Sequence, residues 1–344
     1  MKKTLLCLVL CLSLLGAMLA GCGSTQNGTA QTPATSNISN NSESKSNDEK
    51  DSGSKQYRVA YIARTQSDSF AAWLANEMKA AAEKYSDITL DVFDGRADDE
   101  KVNAAIENAI TNGYDAIIVQ PNNGEAQRPY VEKIVEAGII AITTNARIDN
   151  IEGSSSVDAD PYNQAAVNAA LALEQVPENG RVVVLNGPSG NFHADERRKA
   201  WQAEFFDKRP DVTIIAEDIA NWNKDEAMAF MEDWTTAYGQ IDAIISMNDN
   251  MAAGALEIVQ DYSKMLSYGV YGTAEACLLI QEGKMTSTCL QSAIDLAELN
   301  MQTVHKLLTG EATKIDVDIE EVLITKENAG DFVEMYKKRG LIKE

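Results

Sequence analysis

The stretch Gly113-Tyr-Asp-Ala-Ile-Ile-Val-Gln-Pro121 holds four successive apolar residues, Ala116 to Val119, closed by a polar residue and a proline. Apolar and polar positions do not alternate. A strand of this kind buries both faces, as parallel strands covered by helices on both sides require. Just upstream, Ala104, Ala105, Ile106, Ala109 and Ile110 have the spacing of one buried helical stripe. The same rhythm runs outward. Strands are expected at 58–63, 88–93, 116–120, 139–143, 181–185, 212–216, 243–247, 268–271 and 286–290, with helices between them at segments such as 70–85, 100–111 and 126–136. Alternation of this length implies α/β architecture with parallel sheets and right-handed crossovers. It suits two domains better than one.

In such sheets, ligands bind beyond the carboxyl ends of the strands. The polar and aromatic residues in that position are Asp68, Asn145, Trp222, Asn248, Tyr271 and Gln291. Taken singly, Asn145 and Asn248 also read as helix caps or turn residues, and Trp222 as a half-buried packing residue. Their shared position makes them candidates together.

The amino terminus has a different character. Lys2 and Lys3 precede a largely apolar run, Leu5 to Leu15, and then Leu19-Ala-Gly-Cys22. A positive start, a short apolar core and small residues before a cut are the parts of a secretory signal. The run is short for a membrane helix. Leu-Ala-Gly-Cys resembles the lipobox of bacterial lipoproteins, which implies cleavage after residue 21 and a diacylglycerol on the Cys22 thiol. Two acyl chains hold a protein on a membrane far more firmly than one. The alternative is an ordinary signal with a chance cysteine. Residues 23–56 are mostly Ser, Thr, Asn, Gln, Gly, Lys, Asp and Glu. So little apolar surface reads as a flexible tether.

The chain has 30 Lys+Arg against 52 Asp+Glu, a formal net charge of -22. That argues against nucleic acid, whose phosphates call for basic side chains, and against a polybasic membrane patch. The acidity reads as a solubility feature. Of five cysteines, Cys7 and Cys11 leave with the signal and Cys22 is the lipid site. Cys277 and Cys289 remain; an oxidising compartment permits a disulfide, and two buried free thiols are at least as well supported.

Four motifs together resemble the type I periplasmic binding proteins, and among them the pentose and hexose receptors of ABC importers, over about residues 57 to 310. Ser67-Asp-Ser-Phe70 stands where the family has Asn-Asn-Pro-Phe. Gly113 to Pro121 resembles its third strand and proline turn, and Glu136-Ala-Gly-Ile-Ile-Ala-Ile-Thr-Thr-Asn145 the segment leading to the hinge. Met247-Asn-Asp-Asn-Met-Ala-Ala-Gly-Ala255 is similar to the family's Asn-Asp-x-Met-Ala-x-Gly-Ala. The resemblance implies two similar doubly wound parallel-sheet lobes joined by a three-segment hinge. The expected lobes are 57–158 plus 292–318 and 159–291 plus 319–344, with hinge crossings near Ala159, Gln291 and Ile319. Hinge closure around a ligand is the implied motion.

The resemblance also implies site residues. Phe70 and Trp222 match aromatics that pack on a sugar ring from opposite lobes, where flat faces bury C–H surface well. Asn248 and Gln291 match residues that hydrogen-bond hydroxyls. Arg197 matches an arginine whose fork of donors suits adjacent oxygens or a carboxylate. This sequence departs from the ribose receptor in three places. Asp68 replaces an Asn. Asn145-Ala146 replaces an Asp-Arg pair, with Arg147 displaced by one. Tyr271 replaces an aspartate. These changes point away from ribose, toward a hexose, a cyclic polyol or a modified sugar.

Other chemistry is thinly represented. His193 and His305, the only histidines, lack metal-ligand spacing. His193 follows Gly187-Pro-Ser-Gly-Asn-Phe192, a loop at a strand end, and reads as a residue bordering the pocket or, more readily, as an exposed loop residue; His305 reads as surface or structural. No glycine-rich dinucleotide loop, phosphate loop or nucleophile elbow occurs. Asp98-Asp99 and Glu320-Glu321 read as solvated charge. The expectation is therefore a non-enzymatic, cofactor-free, metal-free monomer. It would bind a small-molecule sugar or polyol and engage an ABC permease, held at the membrane by lipid and making no contact with nucleic acid. A lipoprotein reporting to a membrane kinase or chemoreceptor is the alternative; a surface-anchored enzyme lacks a catalytic constellation.

Overall fold

The computed structural model describes residues 55–342. The expected signal at 1–21, the lipid site Cys22 and the tether up to residue 54 lie outside the described residues.

Two six-stranded sheets carry the fold. The first begins with β1 (Tyr57–Ala63), β2 (Ile88–Asp94), β3 (Ala116–Val119), β4 (Ile140–Thr144) and β5 (Ser154–Asp158), linked by α1 (Ser69–Ala82), α2 (Asp99–Thr111) and α3 (Gly124–Glu136). After β5 the chain enters α4 (Pro161–Gln175) and the second sheet. There β6 (Arg181–Asn186), β7 (Thr213–Ile219), β8 (Ala243–Ser246), β9 (Leu266–Tyr271) and β10 (Ser287–Leu290) are linked by α5 (Phe192–Trp201), α6 (Lys224–Tyr238), α7 (Asp249–Leu256) and α8 (Ala274–Gln281). Then α9 (Ala293–Leu308) packs against α1, and β11 (Asp316–Asp318) joins the first sheet. Next β12 (Val322–Ile324) joins the second, and α10 (Ala329–Lys338) packs against α8. The strand orders are β11-β5-β4-β3-β1-β2 and β12-β10-β9-β8-β6-β7. The chain thus passes between the sheets three times, at residues 159–160, 291–292 and 319–321.

The nine expected strands are present within a few residues of their expected bounds. Three others were not anticipated. β5 is Ser-Ser-Ser-Val-Asp, polar yet buried along its whole length. Side chains satisfy it: Ser155 Oγ accepts from Ile315 N at 3.0 Å, and Ser156 Oγ donates to Asp316 Oδ1 at 3.1 Å. β11 and β12 have three residues each, too few for a periodic signal. β12 also corrects the all-parallel expectation, since it pairs antiparallel with β10; it arrives directly from the other sheet without an intervening helix.

Short polar caps end the strand-to-helix loops. Asp68, Asn123, Asn191, Asn223 and Asn248 each accept a backbone N–H of the first turn that follows. Such caps satisfy amide groups that have no intrahelical partner. They also fix where each helix starts, directly past the strand ends. Cys277 and Cys289 are buried free thiols, which settles the question of a bridge. Burial pushes the Cys289 thiol up to about 12.

The second lobe tolerates no side chain at Gly254. A Cβ there would lie 2.1 Å from the carbonyl oxygen of Lys224, the first residue of α6. Overpacking of this kind costs about 1–3 kcal/mol. Gly254→Ala should lower unfolding free energy by that amount in urea titration, with an unchanged m-value.

Candidate functional site

The carboxyl ends of both sheets meet in one cleft. Arg64 and Asp68 follow β1, Pro121 follows β3 and Asn145 follows β4. From the second sheet, Asn191 and His193 follow β6, Trp222 follows β7, Tyr271 ends β9 and Gln291 follows β10. Phe70 reaches in from the first turn of α1.

Aromatic rings from the two sheets touch at the centre. Phe70 stacks on Tyr271 with centroids 4.7 Å apart and planes 24° apart, and Trp222 tilts against Tyr271 at 6.5 Å. Trp222 is held from behind by bare backbone: a Cβ on Gly187 would lie 2.3 Å from its indole. Only a glycine permits that approach.

Arg197 has no accessible surface. Its Nη1 donates to the Met247 carbonyl at 2.8 Å, and its Nη2 donates to Gln164 Oε1 at 2.8 Å and Gln291 Oε1 at 2.5 Å. Gln291 then donates from Nε2 to Asn145 Oδ1, joining the lobes. His193 Nδ1 lies 3.3 Å from Arg197 Nη2 and so is the accepting nitrogen; its Nε2 faces Asp158 Oδ1 at 3.8 Å. Burial pushes the His193 imidazole down, against the opposing pull of Asp158, which keeps it neutral at pH 7.

Of the nine residues expected to hold ligand, Phe70, Asn145, Trp222, Tyr271 and Gln291 line the same inner cavity of about 20 Å³. Arg197 lies behind them, its guanidinium 5.2 Å from the Tyr271 ring and 5.8 Å from Trp222. Asn248 is also behind, fully buried as the cap of α7. Asp68 and Arg147 sit farther out, each lining one of two mouths of about 430 Å³. Both are already engaged. Asp68 accepts from Ala71 N and pairs with Arg64; Arg147 pairs with Asp318, and its backbone N–H donates to Asp158.

Of the two readings of His193, the structure supports the one that borders the pocket. His193 is buried, not an exposed loop residue, because α5 begins at Phe192 and turns His193 toward Arg197 one helical turn on. Arg64 and Gln164 were missed. Arg64 follows β1, so the strand-end rule reaches it. Gln164 lies inside α4, where no local signal marks it.

Three lining residues have backbones that side chains seldom adopt. Asn145, Trp222 and Tyr271 have φ of +56°, +61° and +127°. Positive φ is costly for an aromatic residue. Strain of this kind gathers where a site needs a side chain aimed against the backbone's preference.

The family model for a periplasmic binding protein domain matches residues 59–312. The chain belongs to that family. The xylitol-binding protein of Mycolicibacterium smegmatis is 28% identical over 67% of this chain and 66% of its own length, so the match spans just under two thirds of it. The ribose import binding protein of Escherichia coli K12 is 22% identical over 78% of this chain and 90% of its own. Among solved structures, an ABC transporter solute-binding protein of Bacillus halodurans with bound myo-inositol superposes with a TM-score of 0.76. It is 24% identical and covers 83% of this chain and 100% of that one. The likeness is one of fold: two α/β lobes with parallel sheets, as the motifs implied.

One buried acid of this region titrates within reach. Asp249 accepts from Thr288 Oγ1 at 2.6 Å and Thr273 N at 2.8 Å, yet burial pushes its carboxyl from 3.8 up to about 7. The folded state therefore keeps a proton that the unfolded state releases above pH 3.8. The associated stability is complete below that pH and is lost as pH rises toward 7. Asp249→Asn is neutral throughout, so its Tm relative to the parent should climb as pH is raised from 4 to 7. A constant difference would refute the assignment.

Proposed function

We propose that this chain is a lipid-anchored, extracytoplasmic solute-binding protein of an ABC importer. It binds a monosaccharide or cyclic polyol between its lobes and delivers it to a permease, without chemistry. The observation that carries this reading is the meeting of opposed aromatic rings with a buried guanidinium–amide network across two sheets. Flat aromatic faces bury the C–H surface of a sugar ring, and the amides and guanidinium supply directional bonds to its oxygens. The names of the relatives, xylitol, ribose and myo-inositol among them, support the same class.

In this reading the lobes are residues 57–158 plus 292–318 and 159–291 plus 319–344, turning about the three crossings. Small-molecule sites usually enclose about 300–1,000 Å³, far more than the inner cavity, so the lobes separate to admit ligand. Trp222, Phe70 and Tyr271 then part, and close again on the sugar. Asn145, Gln291, Arg197 and Asn248 hold hydroxyls, with Asp68 and Arg147 at the entrances.

A ligand that binds only the folded state raises the melting temperature by mass action, about 2.7 kcal/mol at a hundred times Kd. Thermal melting of the full-length protein in detergent against pentoses, hexoses, inositols, amino acids and nucleosides should give shifts among sugars or polyols alone. Trp222→Ala should abolish them. Shifts only from amino acids or nucleosides would sink the reading.

The anchor has its own test. Metabolic labelling with a radioactive fatty acid should mark the wild type and not Cys22→Ser, which should appear in the soluble extracytoplasmic fraction.

A further inference from the structure

The layer directly behind the inner cavity is rich in donors without partners. Arg197 Nε, Gln164 Nε2 and Asn248 Nδ2 are buried with no partner. The first belongs to the guanidinium itself, Gln164 accepts from that guanidinium through its oxygen, and Asn248 follows Met247, whose carbonyl accepts from it. The amide orientations are fixed by their other bonds, since Gln164 Oε1 faces Arg197 and Asn248 Oδ1 caps Met251 N at 2.9 Å.

The acceptors nearby already take protein donors. Asn145 Oδ1 takes Gln291, Gln291 Oε1 takes Arg197, and Asp68 takes Ala71 N and Arg64. No hydrogen-bond partner of Arg197 is a carboxylate. Asp158 stands on the far side of the His193 ring, held by the N–H groups of Arg147 and Ala159. Asp249 is turned to Thr288 and Thr273. No acidic residue lines the inner cavity, where the sole charged side chain is Arg64. That depletion stands out in a chain with 52 Asp+Glu.

A neutral polyol fits such a site badly. Every hydroxyl that accepts a bond also carries a proton that needs an acceptor, and few are open. A carboxylate accepts only, and two oxygens suit a guanidinium fork. A buried cation without a charged partner is also costly, a cost that an anionic ligand removes.

We propose that the ligand carries a carboxylate: an acidic monosaccharide of the uronic or aldonic acid class, its anionic end seated on the donors around Arg197. This rests on the sugar-receptor reading and narrows it. Trp222 and Tyr271, which line the cavity and lie against the guanidinium, are the rings that the acid displaces.

Calorimetric titration of the full-length protein in detergent decides the matter. Glucuronate, galacturonate and gluconate are compared with glucose, galactose and glucitol, alongside ribose and myo-inositol. At least one acid should bind tenfold or more tightly than its neutral counterpart, with affinity falling as salt is raised. Asn248→Asp keeps the cap oxygen and puts a carboxylate oxygen in place of the unpartnered amide, so acid binding should drop at least tenfold in a variant that circular dichroism shows to be folded. Neutral sugars binding as well as or better than the acids would overturn this proposal and leave the sugar reading standing. No binding by any of these compounds would overturn both. Full acid affinity in a folded Asn248→Asp variant would overturn the placement at Arg197.

Discussion

A guanidinium with no water around it has to find its partners in the protein, and in this fold those partners tie the lobes together. Arg197 reaches the second crossing through Gln291, which continues to Asn145 in the first lobe. Through His193 it faces Asp158, where the first crossing begins. The backbone carbonyl of Asp158 accepts from Ile319 N at 2.8 Å, on the third crossing. One side chain thus connects, directly or through one or two intermediates, with every strand of chain that joins the two halves. A change in how Arg197 is satisfied is felt where the chain crosses between the sheets. The bonds from Arg197 to Gln291, from Gln291 to Asn145 and from Ile319 to Asp158 are each costly to leave unmade in a buried site.

The two sheets can meet this way because their strands end in a common place. Continuous apolar runs such as Ala116–Val119 require helices on both faces, and the capped loops start those helices directly past the strands. The polar and aromatic residues that belong to neither element are left at the carboxyl ends. Both lobes obey the same rule, so their open ends face each other.

That rule is what made much of the molecule legible. The nine hydrophobic strands and the convergence of Asn145, Trp222, Tyr271 and Gln291 follow from patterns within a few residues of each position, while Phe70 comes from the family resemblance of Ser67–Phe70. What escaped depends on partners distant in sequence. Ser154-Ser-Ser-Val-Asp158 reads as loop until Ile315 and Asp316 are seen to satisfy its hydroxyls. Gln164 is an ordinary helical polar residue until Arg197, 33 positions on, is placed against it. His193 reads as exposed after a glycine- and serine-bearing loop, and only the start of α5 at Phe192 turns it inward. Burial of polar groups is a property of pairs, and hydropathy reads one residue at a time.

Tyr271 shows how the replacement of one side chain reorganises such a site. It stands at the end of β9 with φ of +127°, where the receptors it resembles place an aspartate. An aspartate there would give the buried guanidinium a charged partner. The tyrosine instead lays a ring against it and stacks on Phe70 from the opposite lobe. A cation over an aromatic face is attracted by the ring's quadrupole, by about 2 kcal/mol or more when desolvated, but the ring adds no opposite charge. The exchange trades charge compensation for apolar contact between lobes, leaving the guanidinium's remaining valence open. The strained backbone at Tyr271 and the bare Gly187 beneath Trp222 hold the rings that cover it. On the proposed reading, selectivity in this cleft follows from two demands on one ligand: a face flat enough to slip between the rings, and oxygens with nothing to donate at the end that meets Arg197.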